Sequence, residues 1–242
     1  MSAITTEKTI GELAAENPAA TRVFEKLGID YCCGGNQTLG QACHAAGLAP
    51  EQVREFLELA ATTARPLAGE RDWQSQPLAA LIAHIQNTHH QYTHAEIDRL
   101  PVLLEKVEAA HRENHPELAQ MRATFGGLAD ELSMHMMKEE RILFPYIARM
   151  EEAVRKGSPV MPPPFGSVRN PVAMMLHEHD GAGEALRELS EASGGYTVPA
   201  DACASYRALY QALAEFEADL HQHIHLENNI LFPRAIEIEQ TH

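Results

Sequence analysis

The chain has 242 residues, enough for one large domain or for a small and a medium one. With 45% hydrophobic and 22% charged residues, no apolar run near the roughly 20 residues of a bilayer span, and no apolar signal-peptide core in MSAITTEKTIGELAAE, a soluble cytoplasmic protein is expected. A formal charge of -15 would repel phosphates over most of the surface, so neither nucleic acid nor membrane is an expected partner.

Residues 1–60 predict a small helical domain. Thr9 and Glu12 have the spacing of a capping box and start a helix that runs to Asn17-Pro18; a second continues through Leu27 and ends at Gly28. Asp30-Tyr31-Cys32-Cys33-Gly34-Gly35-Asn36 is a predicted turn, followed by short helices from Thr38 to Ala46 and from Ala49 to Ala60. So short a unit has a marginal core, which points to support from its own chain or from a second subunit in a homodimer. Residues 61–76 have the composition of a linker.

Long helices fill 77–242. The first is predicted from Pro77 to Asn114 with a kink at Pro101, the second from Pro116 to Lys156 with interruptions at Gly126-Gly127 and Pro145. After the extended stretch GSPVMPPPFGSVR, Asn170 is the expected cap of a third helix reaching Ser193, and Ala200 to Glu239 is the fourth. The expectation is an all-α chain, an up-down four-helix bundle preceded by a small helical domain.

Fourteen histidines are the outlier in composition. Two of them open a repeated phrase: His135-x3-Glu139-x2-Ile-Leu-Phe-Pro recurs as His223-x3-Glu227-x2-Ile-Leu-Phe-Pro. Spaced four apart, each His and Glu share one helix face. His90 precedes His135 by nearly the interval at which His179 precedes His223, so each half is a helix pair. His179 lies on the apolar stripe of Val172, Met175, Ala182, Leu186 and Leu189, with His177 about 200° away. On the first helix, His89 follows the seam of Leu81, Ile85 and Tyr92 and His90 runs along its edge, so the pattern alone favours His89 with His90 as the alternative.

Alone, a His-x3-Glu pair is usually a surface contact of about 0.2–0.5 kcal/mol. Two carboxylates and several imidazoles in one bundle core instead cost several kcal/mol per charged group unless cations balance them. A thiolate-free set of imidazoles and carboxylates suits iron or manganese better than closed zinc, and bridging glutamates would leave coordination positions open for NO or O2. His84, His94, His111, His115, His177, His221, His225 and His242 read as solvated, packing or supporting groups, with Glu140 and Asp180 as candidate acceptors behind the ligand rings.

The chain resembles the iron-sulfur cluster repair di-iron proteins. Asp30-Tyr31-Cys32-Cys33-Gly34-Gly35 is similar to the signature of their short N-terminal domain, and His135-Met-Met-Lys-Glu139-Glu140 and His223-x3-Glu227-Asn-Asn to the metal-binding phrases of their hemerythrin-like domain. The resemblance implies two non-haem irons per chain with an oxo or hydroxo bridge, held by His90, His135, His179 and His223 and bridged by Glu139 and Glu227. It selects His90 by its distance from Pro77-Leu-Ala. It also implies a bacterial cytoplasmic role in repairing iron-sulfur proteins damaged by nitrosative or oxidative stress. Blood-worm-type hemerythrins carry a further histidine ligand that this pattern does not supply, which argues against simple O2 carriage.

Cys32 and Cys33 are the candidate catalytic pair. Adjacent cysteines form only a strained eight-membered disulfide, and the following glycines open the turn to a metal, a nitrosyl or a partner thiol. Cys43 is placed to join them; Cys203 reads as core. Repair, NO binding without turnover, and iron trafficking share one ligand set, and NO reduction would require an external electron donor because no flavin or haem motif is present.

Overall fold

The computed structural model describes residues 4–63 and 72–241, and every regular element among them is helical. The central part of the expected linker, 64–71, and His242 lie outside the described residues. An isolated antiparallel bridge joins Thr9 and Thr38. The chain is all-α, with a small N-terminal helical region and a larger helical bundle. It separates into two units, one of Met1–Ile82, Ala148–Met161 and His221–His242, the other of Ala83–Ile147 and Pro162–Leu220.

In the first unit, α1 (Ile10–Glu16), α2 (Pro18–Leu27), α3 (Leu39–Ala45) and α4 (Pro50–Thr63) follow their sequence signals closely. The Glu12 amide donates to Thr9 Oγ1 at 3.2 Å and the Thr9 amide to Glu12 Oε2 at 3.0 Å, which is the predicted capping box. Thr38 and Gln41 form a second one. Gly28 ends α2 with φ 65°, a left-handed conformation that costs glycine least. Ile10, Leu13, Phe24, Tyr31, Leu39, Cys43, Val53 and Leu57 close a core of their own.

The remaining helices are α5 (Leu78–His84), α6 (Gln91–His111), α7 (Glu117–Lys138), α8 (Phe144–Arg155), α9 (Arg169–Ala192), α10 (Ala204–Leu226) and α11 (Phe232–Thr241). In the second unit α7 packs against both α6 and α9, burying Leu100 and Leu104, Met121, Phe125 and Leu128, and Val172, Met175 and Leu186. Gly126-Gly127 do not interrupt α7, because tertiary packing outweighs a cost of about 1 kcal/mol per helical glycine, and Pro101 lies inside α6. Asn170 is not the cap of α9: Val168 holds that place, and the Asn170 amide donates to the Phe165 carbonyl at 2.8 Å.

Three π-helical turns interrupt these helices, at Ile85–His90, Glu139–Leu143 and Glu227–Leu231. Each contains at least one of the histidine or glutamate positions singled out above. The second and third end identically, with the Phe144 and Phe232 amides donating to the Glu139 and Glu227 carbonyls. In both, the next residue is a proline, whose missing N–H makes no demand where the backbone register returns to α.

Candidate metal centre

In the second unit four buried side chains converge. His90, His135 and His179 are 1%, 3% and 1% exposed, and Glu139 is fully buried. The Nε2 atoms of His90 and His135 approach the same carboxylate oxygen, Glu139 Oε2, at 3.5 and 3.3 Å. His179 Nε2 lies 3.0 Å from His135 Nε2. One ligand atom each from His135, Glu139 and His179 lie within 4.8 Å of one another.

The outward ring nitrogens are fixed as well. His90 Nδ1 is 2.8 Å from Glu140 Oε1, and His135 Nδ1 is 2.8 Å from Glu178 Oε2, so each outer carboxylate orients its ring with Nε2 pointing inward. This is the arrangement of metal-ligating imidazoles, in which a carboxylate on the far nitrogen sets the tautomer and raises the ring's basicity. At the start of the π turn Glu139–Leu143, two successive residues face one ring, Glu139 at Nε2 and Glu140 at Nδ1. Lys138 also meets Glu178 and, with His135, holds its carboxyl below the usual range against the opposing effect of burial.

His89 faces elsewhere. Its Nδ1 is 3.0 Å from Asp219 Oδ1, while His90 meets Glu139; of the histidine doublet, His90 is the one turned to the carboxylate.

The first unit carries the second motif. His223 is 1% exposed, Glu227 is fully buried, and His223 Nε2 lies 3.1 Å from Glu227 Oε1. A fully buried carboxylate beside a buried imidazole fits a cation better than an apolar core. In each unit the donors are nitrogen and oxygen, and His/Glu sets of this kind fit iron or manganese.

On the same stretch of helix a second row of side chains holds the N-terminal turn. His225 and Asn229 lie about 200° around from His223 and Glu227. The Asn229 amide donates to the Tyr31 carbonyl at 3.0 Å and to His225 Nδ1 at 2.9 Å, using both its hydrogens. Burial pushes the His225 imidazole down to about 4, so it is the neutral ring this acceptor role requires. Tyr31 meets the His225 ring edge-on at 5.4 Å, and the Gln222 amide donates to the Tyr31 hydroxyl at 2.6 Å. Asn228, immediately after Glu227, donates to the Cys32 carbonyl at 3.1 Å. The Asn229 side chain sits in a glycine cradle: a Cβ at either Gly11 or Gly35 would stand 2.4 Å from its Oδ1.

Within the turn, Asp30 Oδ1 accepts from the Cys32 and Cys33 amides at 3.2 and 2.9 Å and lies 3.2 Å from Cys32 Sγ. Cys32 is buried and Cys33 half-buried, with their sulfurs 3.8 Å apart. The neighbouring Cys33, burial and the Asp30 charge hold the Cys32 thiol well above its ordinary range. Cys43 does not join them; it is fully buried in the N-terminal core. Cys203 corrects the expectation of a core residue, being exposed just before α10, where His111 and the Tyr206 and Ser205 amides lower its thiol to about 7.

Of the two candidate acceptors, Glu140 has the expected role and Asp180 is exposed. Glu178 takes the role in its place. It sits about 100° from His179 on α9, off the apolar stripe, so no periodicity signals it.

Residues 6–61 match the ScdA_N model, described as a domain of unknown function (DUF542), and residues 81–235 match the hemerythrin HHE cation binding domain. The iron-sulfur cluster repair protein YtfE of Musicola paradisiaca (strain Ech703) is 39% identical over 231 residues, covering 95% of this chain and 96% of the relative. YtfE of Pectobacterium carotovorum subsp. carotovorum (strain PC1) is 39% identical over 234 residues, with 95% and 97% covered. That of Escherichia coli O17:K52:H18 is 38% identical over 230 residues, again with 95% and 97% covered.

Proposed function

The chain belongs to the YtfE/ScdA-like family of iron-sulfur cluster repair proteins, and from that premise we propose that it is a non-haem di-iron protein that restores or protects iron-sulfur clusters damaged by nitrosative or oxidative stress. The observation that carries this reading is the pair of imidazoles, His90 and His135, clamped from behind by Glu140 and Glu178 and aimed at the fully buried Glu139. His90, His135, His179 and His223 are the proposed terminal ligands and Glu139 and Glu227 the proposed bridges of one dinuclear centre with an oxo or hydroxo bridge.

Bound there, two irons would supply open coordination positions for a small ligand such as NO, or O2, and a redox couple. The protein's own contribution is to hold neutral Nε2 lone pairs inward, to balance cationic charge with two buried carboxylates, and to keep the rings from turning. Electrons for NO reduction would come from an external donor. Cys32 and Cys33 are proposed to act at the edge of this chemistry, facing the damaged client.

The three-part division into 1–60, 61–76 and 77–242 and a cytoplasmic location go with this reading. Among the described residues no helix is long and apolar enough to cross a membrane.

The test is repair itself. A purified iron-sulfur dehydratase, inactivated with NO, is incubated anaerobically with the iron-loaded protein and with its E139A/E227A variant. Recovery of dehydratase activity with the parent alone supports the proposal; equal recovery with both, or none with the loaded parent, refutes it. NO binding without recovery would mark a sequestering module.

A further inference from the structure

We propose that Asp30, Cys32 and Cys33 form a second metal site, which takes one thiophilic divalent cation such as Fe(II) or Zn(II) outside the buried histidine-glutamate centre.

The geometry is that of a half-built tetrahedron. Two sulfurs bound at about 2.3 Å to a tetrahedral cation stand about 3.8 Å apart. Cys32 and Cys33 already hold their sulfurs at 3.8 Å. One oxygen of Asp30 completes a set whose atoms all lie within 4.8 Å of one another. That oxygen is not swinging free: two backbone amides of the turn grip it, which fixes the carboxylate over the thiols before any ion arrives.

The turn's shape requires its glycines. A Cβ on Gly34 would meet the Asp30 carbonyl at 2.5 Å, and one on Gly35 would meet Asn229 at 2.4 Å. With Asp30 exposed and Cys33 half-buried, a cation enters from solvent and keeps one position for water or for a sulfur of another protein.

Binding needs no redox partner. The S–H bonds of Cys32 and Cys33 break, both protons pass to solvent, and a lone pair from each sulfur and from Asp30 binds the cation, whose oxidation state is unchanged. The backbone of this turn is tied to Asn228, the residue next to Glu227. A cation held there is therefore a holding place beside the buried motif for iron in transit. That use rests on the di-iron reading; the site itself does not.

The test is a Co(II) titration of the full chain, with its buried centre first filled with iron. The expected result is one equivalent of Co(II) with intense thiolate-to-cobalt charge-transfer absorption, lost in C32S/C33S and at least tenfold weaker in affinity in D30N. In the unmutated protein, Co(II) should slow alkylation of Cys33 and leave that of Cys203 unchanged, a readout that needs no variant to fold. No charge-transfer band, a band that survives in C32S/C33S, or Cys33 alkylation indifferent to Co(II) would overturn the proposal. E139A/E227A separates the two readings: if it binds no iron yet keeps the band, the thiol site stands without the dinuclear one.

Discussion

Asn228 holds Cys32: its side-chain amide donates to the cysteine's carbonyl oxygen at 3.1 Å. The corresponding residue of the first repeat, Glu140, accepts instead from His90. The same helix position thus supports a ring in one half of the chain and the cysteine turn in the other. With Asn229 on Tyr31, it fastens the turn to the helix that carries Glu227. Asn228→Ala with Asn229→Ala should raise the alkylation rate of Cys33 several-fold at neutral pH, followed by mass spectrometry. An unchanged rate would show that the turn is held by other contacts.

Gly35→Ala and Gly126→Ala should have opposite effects on stability. The first places a Cβ 2.4 Å from Asn229 Oδ1 and should cost about 1–3 kcal/mol, as overpacking does. The second meets nothing within 4 Å in the interior of α7 and should stabilise by about 0.5–1 kcal/mol. Chemical denaturation of the iron-free proteins measures both.

Glu140→Gln and Glu178→Gln each remove a carboxylate from behind a ligand ring and should lower metal affinity about 10–100-fold, measured by chelator competition. Asp180→Asn, on the exposed side of α9, should change it little. Equal effects from all three would mean that general charge, rather than ring orientation, governs affinity.

Cys203 gives a pH dependence with a definite sign. The thiolate is the reactive form, and His111 and two amides at the start of α10 lower the thiol from 9.0 to about 7. Alkylation of Cys203 should therefore be half-maximal near pH 7, falling as pH drops, and His111→Ala should shift the midpoint upward. A midpoint near the ordinary thiol value in the parent protein would contradict this.

The helices and the Thr9–Glu12 capping box are legible in the sequence because capping and periodicity are local. The repeated His-x3-Glu phrases are legible for the same reason, and they lead to Glu139 and Glu227, both fully buried. The π turns are not legible. A change of one residue in backbone hydrogen-bond register leaves no trace in composition, yet it falls where Glu139 and Glu140 meet opposite nitrogens of His90. Glu178 and Asn229 escaped for another reason. Each lies off the apolar stripe and acquires its role from a partner distant in sequence, His135 in one case and Tyr31 in the other. Cys203 is exposed although it reads as core, because an apolar residue type at a helix start carries no information about exposure.

The most direct test of the central claim is metal content with Mössbauer spectroscopy on protein loaded anaerobically with iron, alongside E139A/E227A. Two coupled irons per chain, lost in the variant while helical content is retained, is the predicted result. A single uncoupled iron, or iron content indifferent to removal of both glutamates, would contradict the dinuclear centre.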